Sequence, residues 1–134
     1  MSLGDAIATA LPRLRAQAES LMRDTIRADR QTGTTPDGLG GDVPVLTTLY
    51  TGRGKVQSQA VQQLNPEAGG HVYTVQRYEV HLPVGSFSPA VGDLLSVTTA
   101  ADNPELTGRV FRVTALMHKS QPTAYRLAVE EVVA

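Results

Sequence analysis

The chain has 134 residues, enough for one compact domain with an ordinary hydrophobic core, and a formal net charge of -1. It contains no cysteine, which excludes disulfides, thiolate catalysis and cysteine–zinc sites. Aromatic residues are only 4% of the chain and tryptophan is absent, so neither a strongly basic nor a base-stacking nucleic-acid surface has support in the composition.

The first segment reads as an amphipathic helix over about residues 3–22. Leu3, Ile7, Leu11, Leu14, Ala18 and Leu21 recur at steps of three or four and form one apolar stripe. Ser2 and Asp5 have the spacing of a capping box. Pro12 conflicts with this reading, because proline in a helix interior removes a hydrogen bond and crowds the preceding turn. Either the helix kinks there, or it starts at Pro12 behind a looser arm. Met1–Ala10 lacks the basic start of a signal peptide, and no apolar run approaches the ~20 residues of a membrane span. The expectation is a cytoplasmic protein with no membrane contact.

From Asp24 onward the period changes. Thr25–Arg30 reads as a short edge strand. Residues 31–44, rich in Gly, Pro, Asp and Thr, read as a long mobile loop, and residues 64–71 as a second one. Strands are expected at Val45–Tyr50 and Lys55–Val61, with a turn at Thr51–Gly54 between them. A longer strand is expected at Val72–Leu82, with Tyr78, Val80 and Leu82 on one face and a bulge near Gln76. Leu94–Thr99, Arg109–His118 and Thr123–Val133 complete the set. Phe111, Val113, Ala115 and Met117 share one face of the second, and Tyr125, Leu127 and Val129 one face of the third. Short strands with regular turns predict a mainly β domain over 1–134, a small antiparallel β-barrel, SH3-like or similar, over about 24–133 behind the helix.

Motifs that carry chemistry are weak. Gly33, Gly38, Gly40 and Gly41 lack the Gly-Lys-Ser/Thr ending and following helix of a phosphate loop. Gly52-Arg53-Gly54-Lys55 has the look of a small anion nest, but more simply of a solvated turn. His71, His81 and His118 do not have metal-ligand spacing. Asp93, Asp102, Glu105, Glu130 and Glu131 are the carboxylates open to acid–base pairing, and each sits where a turn or a solvated strand end explains it. No serine occupies a nucleophile elbow. The residues therefore assign no catalytic, cofactor-binding or metal site, and the expectation is a protein that is not an enzyme.

The order of several stretches resembles a known family. These are AESLMRDT at 18–25, YTGRGKVQ at 50–57, YEVHLPV at 78–84 with VGD at 91–93, NPELTGRVFRV at 103–113 and YRLAVEE at 125–131. Together they resemble the head-to-tail connector proteins of long-tailed bacteriophages, the stopper or head-closure proteins of actinobacterial phages most of all. The resemblance implies a homo-oligomeric ring, hexameric or dodecameric, in the virion neck, assembled in the cytoplasm of the bacterial host. It implies a portal or adaptor ring above and a tail terminator or tail tube below. DNA would pass through the channel without sequence-specific binding. It brings no catalytic residues and no cofactor. The alternatives are another neck ring, such as a tail terminator, and a small nucleic-acid-binding β-barrel, which predicts a basic stripe and exposed aromatics on one sheet face.

Overall fold

The computed structural model describes residues 2–65 and 71–132, and of residues 59–65 and 71–76 it describes the backbone. One helix, α1 (Leu3–Ser20), precedes six strands: β1 (Asp24–Pro36), β2 (Asp42–Asn65), β3 (His71–Leu82), β4 (Leu94–Ala100), β5 (Val110–Met117) and β6 (Tyr125–Glu131). All pairings are antiparallel, and the order β1-β2-β3-β6-β5-β4 closes through β1 and β4. The expected mainly β architecture, a closed antiparallel sheet behind an N-terminal helix, is the one observed.

The capping box forms: the Ser2 hydroxyl accepts from the Asp5 amide at 3.1 Å, and the Asp5 carboxylate accepts from the Ser2 amide at 3.4 Å. The helix then runs through Pro12 and does not begin there. Proline leaves the Ala8 carbonyl without its helical partner, but Ala8 and Pro12 both face water, which can supply the missing bond. The stripe is only half used. Ile7, Leu11, Leu14 and Ala18 are partly covered, whereas Leu3 and Leu21 stay exposed, and no residue of α1 is fully buried. Two side chains tie the helix to the segment before β6. Arg15 donates to the Pro122 carbonyl at 3.0 Å, and Gln121 donates to the Gly4 carbonyl at 3.2 Å.

The core takes two residues from each of five strands: Ile26 and Ala28, Val80 and Leu82, Leu95 and Val97, Phe111 and Val113, Leu127 and Val129. Each pair is spaced by two, as a sheet with one buried face requires. Full burial of each larger aliphatic or aromatic side chain contributes about 1.5–3 kcal/mol. The sixth strand enters the core differently. β2 pairs with β1 as far as Gly54 and with β3 from Lys55 onward, so it changes partner at the barrel corner. A Cβ on Gly54 would lie 2.5 Å from Ile26 Cδ1 and 2.9 Å from Leu82 Cδ2. Glycine here lets the backbone approach the core where a side chain would collide.

Several expectations change. Residues 31–44 are not a loop: Gln31–Pro36 continue β1, Asp42–Pro44 begin β2, and the turn between the strands is residues 37–41. Hairpin pairing satisfies backbone groups that a loop would leave to solvent. Thr51–Gly54 is not a turn, because both of its flanks belong to the single strand β2. β1 is no edge strand, since β2 and β4 flank it. The β2–β3 register runs without interruption from Lys55↔His81 to Asn65↔His71, so there is no bulge at Gln76. Of the expected loop at 64–71, Leu64, Asn65 and His71 are strand residues. Residues 66–70 lie outside the described residues, as do the side chains of Tyr73 and Val75.

A bulge does occur in β5. Val113 pairs with Val129 and Ala115 with Ala128, leaving Thr114 unmatched. The extra residue inverts the alternation that follows. Phe111 and Val113 are buried as expected, but Ala115 and Met117 face out, and Leu116 packs on the core instead.

Candidate interaction surface

Two ribbons of paired strands extend past the barrel. β1 pairs with β4 only as far as Asp29↔Leu94, so Gln31–Pro36 and Asp42–Leu46 form a two-stranded arm. β3 pairs with β6 only from Tyr78, so residues 59–65 of β2 and 71–77 of β3 form another. The first arm continues the N-terminal end of the barrel portion of β2 and the second its C-terminal end.

The base of the first arm is clamped. Register shifts fall at Ala28/Asp29 and at Gln31/Gly33, either side of the point where β1 leaves the barrel. Between them, Arg30 forms a bidentate pair with Asp93 (Nε to Oδ1 2.8 Å, Nη2 to Oδ2 2.9 Å), and Asp93 is buried in front of β4. Arg30 also donates to the Ser88 carbonyl, and Asp93 accepts from the Ala90 amide at 2.9 Å. Buried Asp29 accepts from Arg27 at 2.9 Å and from the Thr48 hydroxyl at 2.7 Å. The tip is organised by Asp37, whose Oδ1 accepts from the Leu39 amide at 2.7 Å and the Gly41 amide at 3.0 Å. These two bonds hold the Asp37 carboxyl below the usual carboxylate range. Gly38 and Gly40 take φ values of 82° and 90°, which the turn needs and which other residues rarely adopt.

These contacts settle what the glycine-rich stretch does. The converging amides of residues 37–41 already hold an anion, and it is the protein's own carboxylate. The other expected positions are also engaged. Asp102 pairs with Arg23, Glu131 with Arg109 at 3.2 Å and Glu130 with Arg112 at 3.5 Å. Glu105 is the middle residue of the 3-10 turn Pro104–Leu106 and is engaged through its backbone: its amide donates to the Asn103 side chain and its carbonyl accepts from Arg109. No His/Asp/Glu group among the described residues is arranged to hold a metal, and no helix among them is long and apolar enough to cross a membrane.

His81 stands in a row that the sequence reading did not assemble. It pairs with Lys55 on β2 and with Arg126 on β6, on the outer face of the sheet beside the C-terminal end of α1. Burial lowers the affinity of its imidazole for a proton. Glu79, 3.7 Å away, opposes that effect, and Lys55 and Arg126 reinforce it. Its Nε2 is buried without a hydrogen bond. His118 is exposed beyond β5, and the side chain of His71 lies outside the described residues. The carriers of this row are alternate residues on separate strands, so only the register could reveal it.

The β5 bulge also shapes a cavity of about 180 Å³ between the ends of β5 and β6. Pro89, Leu116, Met117, Tyr125 and Leu127 give it an apolar lining, and His118 and Arg126 stand at its rim. The turn signal Pro36-Asp37-Gly38 between β-branched flanks was the one sequence feature able to announce the first arm.

The features together define a class: a small closed antiparallel barrel with an N-terminal helix and projecting β-ribbons. Within that class the chain belongs to DUF6093, a family of unknown function whose model matches residues 14–130, from within α1 to the penultimate residue of β6. A comparison with curated proteins finds no match.

Proposed function

We propose that this protein is a structural ring subunit of the neck of a long-tailed bacteriophage. It lies between the portal or adaptor and the tail, closes the DNA-filled head and offers the tail a docking surface. The observation that carries this reading is the pair of β-ribbons continuing opposite ends of β2 from one rigid barrel. A neck subunit must touch neighbours within its own ring and rings above and below, and a two-stranded ribbon reaches outward while keeping unpaired edges that can bond to a neighbour. The near-neutral charge suits a channel through which DNA must slide, because dense phosphate pairing would retard it. A tail terminator is the nearest alternative, and the N-terminal helix favours a stopper.

The test is genetic. In the phage or prophage that encodes this chain, disrupting the reading frame is expected to yield free tails and heads that lose their packaged DNA. Restoring the gene in trans should restore whole virions. Normal virions without the protein would refute the neck role.

A nucleic-acid-binding barrel has one observation in its favour, the row Lys55–His81–Arg126. Ala18 near the end of α1, with Leu21 and Met22 after it, lines the same cleft, so the helix end borders the row on one side. Salt-dependent binding of single- or double-stranded oligonucleotides by the isolated protein would favour that reading.

A further inference from the structure

We infer that the tip of the β1–β2 arm of one copy seats in the Leu116–Met117–Tyr125–Leu127 cavity of the next copy, joining chains head to tail. The inference rests on the ring reading above and names the contact that would build the ring.

The tip presents a single apolar side chain. Leu39 is 91% exposed, between two glycines and above the Asp37 carboxylate that holds its amide. The Asp37 bonds order the turn before any partner arrives, so little conformational freedom remains to be lost on docking. The cavity has matching chemistry. It measures about 180 Å³, and apolar cavities of about 150 Å³ accept a benzene-sized guest, so a leucine side chain fits. Met117, 46% exposed at its mouth, is the kind of flexible side chain that adapts to an incoming group.

Charge gives the pairing a direction. From Gln31 to Leu46 the only charged residues are Asp37 and Asp42, so the arm is acidic. The cavity rim carries Arg126 and His118, with Lys119 next in sequence. Acidic tip and basic rim attract, whereas two tips repel each other, which disfavours symmetric tip-to-tip dimers. Because tip and cavity are different patches of the same chain, the contact is heterologous. Such contacts propagate around a ring when the rotation closes.

The absence of cysteine makes the test direct. Leu39→Cys and Met117→Cys change exposed side chains and should leave the circular dichroism spectrum unchanged. Mixing the two single variants with a short bismaleimide cross-linker is expected to give a dimer linked 39 to 117, identified by peptide mass spectrometry. The double variant should give a ladder of covalent oligomers ending at one closed size. Leu39→Asp, made in a chain that carries neither cysteine, removes the apolar anchor from every copy and should weaken self-association, read by sedimentation against the wild type, on the order of tenfold or more. The inference is overturned if cross-links form only within one chain, only between like positions, or not at all up to millimolar protein. A ladder together with normal virions from the disrupted phage would refute the neck role and keep this contact. Loss of virions with no 39–117 link would do the reverse.

Discussion

Arg30, the last residue of β1 before the arm, grips Asp93, the residue immediately before β4, through two parallel hydrogen bonds of 2.8 and 2.9 Å. The pair spans the barrel wall at the point where the arm leaves it, so it couples the stability of the barrel to the direction of the arm. Asp93 is buried and its partner half-exposed. The carboxylate therefore depends on the guanidinium more than the reverse. Replacing Asp93 with Asn keeps the shape but removes the charge-assisted bonds. The expected loss is about 1–3 kcal/mol of unfolding free energy. Urea denaturation checks it, with the midpoint lowered and the slope unchanged. Arg30→Gln should cost less in the Asp93→Asn background than in the wild type, because the two residues act as one unit.

Gly54 and Ile26 supply a second prediction. A methyl group on residue 54 would collide with Ile26 Cδ1 and press on Leu82 Cδ2, both inside the core. Gly54→Ala should destabilise the protein by about 1–3 kcal/mol through overpacking. Ile26→Val removes the atom that collides most, so the double variant should recover part of the loss. A double variant no more stable than the sum of the two single losses predicts would show that the strain lies elsewhere.

His81 predicts a pH dependence. Burial depresses the folded-state pKa below the ordinary 6.5. Above that ordinary value the imidazole is neutral in both folded and unfolded chains, and its contribution to stability is fully present. As pH falls below about 6.5 the unfolded chain takes up the proton first, so stability declines until the folded-state pKa is passed. His81→Gln removes this slope. The wild type should lose more stability than His81→Gln between about pH 7.5 and pH 5.5, measured by urea unfolding at each pH. Equal losses would show that the imidazole titrates alike in both states.

Much of the barrel was legible in the amino-acid sequence because alternation is a local signal. Val80 and Leu82, Phe111 and Val113, and Leu127 and Val129 are two apart and share one buried face, as read. The Ser2–Asp5 cap was legible for the same reason, since it needs only four residues. Where local composition and long-range pairing disagreed, composition misled. The glycines and prolines of residues 31–44 suggest a loop, but cross-strand pairs such as Thr34↔Pro44 and Thr35↔Val43 make a ribbon of them, and the Thr32 and Thr47 hydroxyls meet at 2.9 Å across it.

The helix, the β-rich class, the strands from Val80 onward and the want of any catalytic motif all follow from residue order, since each depends on neighbours within a few positions. Tertiary structure decided the rest. It made β2 one strand that changes partner at Gly54, turned Leu116 inward behind the Thr114 bulge, and set Arg30 against Asp93. It also brought Lys55, His81 and Arg126 into one row and left Leu39 alone at the end of its arm. Those outcomes depend on register between strands far apart in the chain. A shift of one residue reverses which face each side chain occupies, and no periodicity within a single strand records that choice.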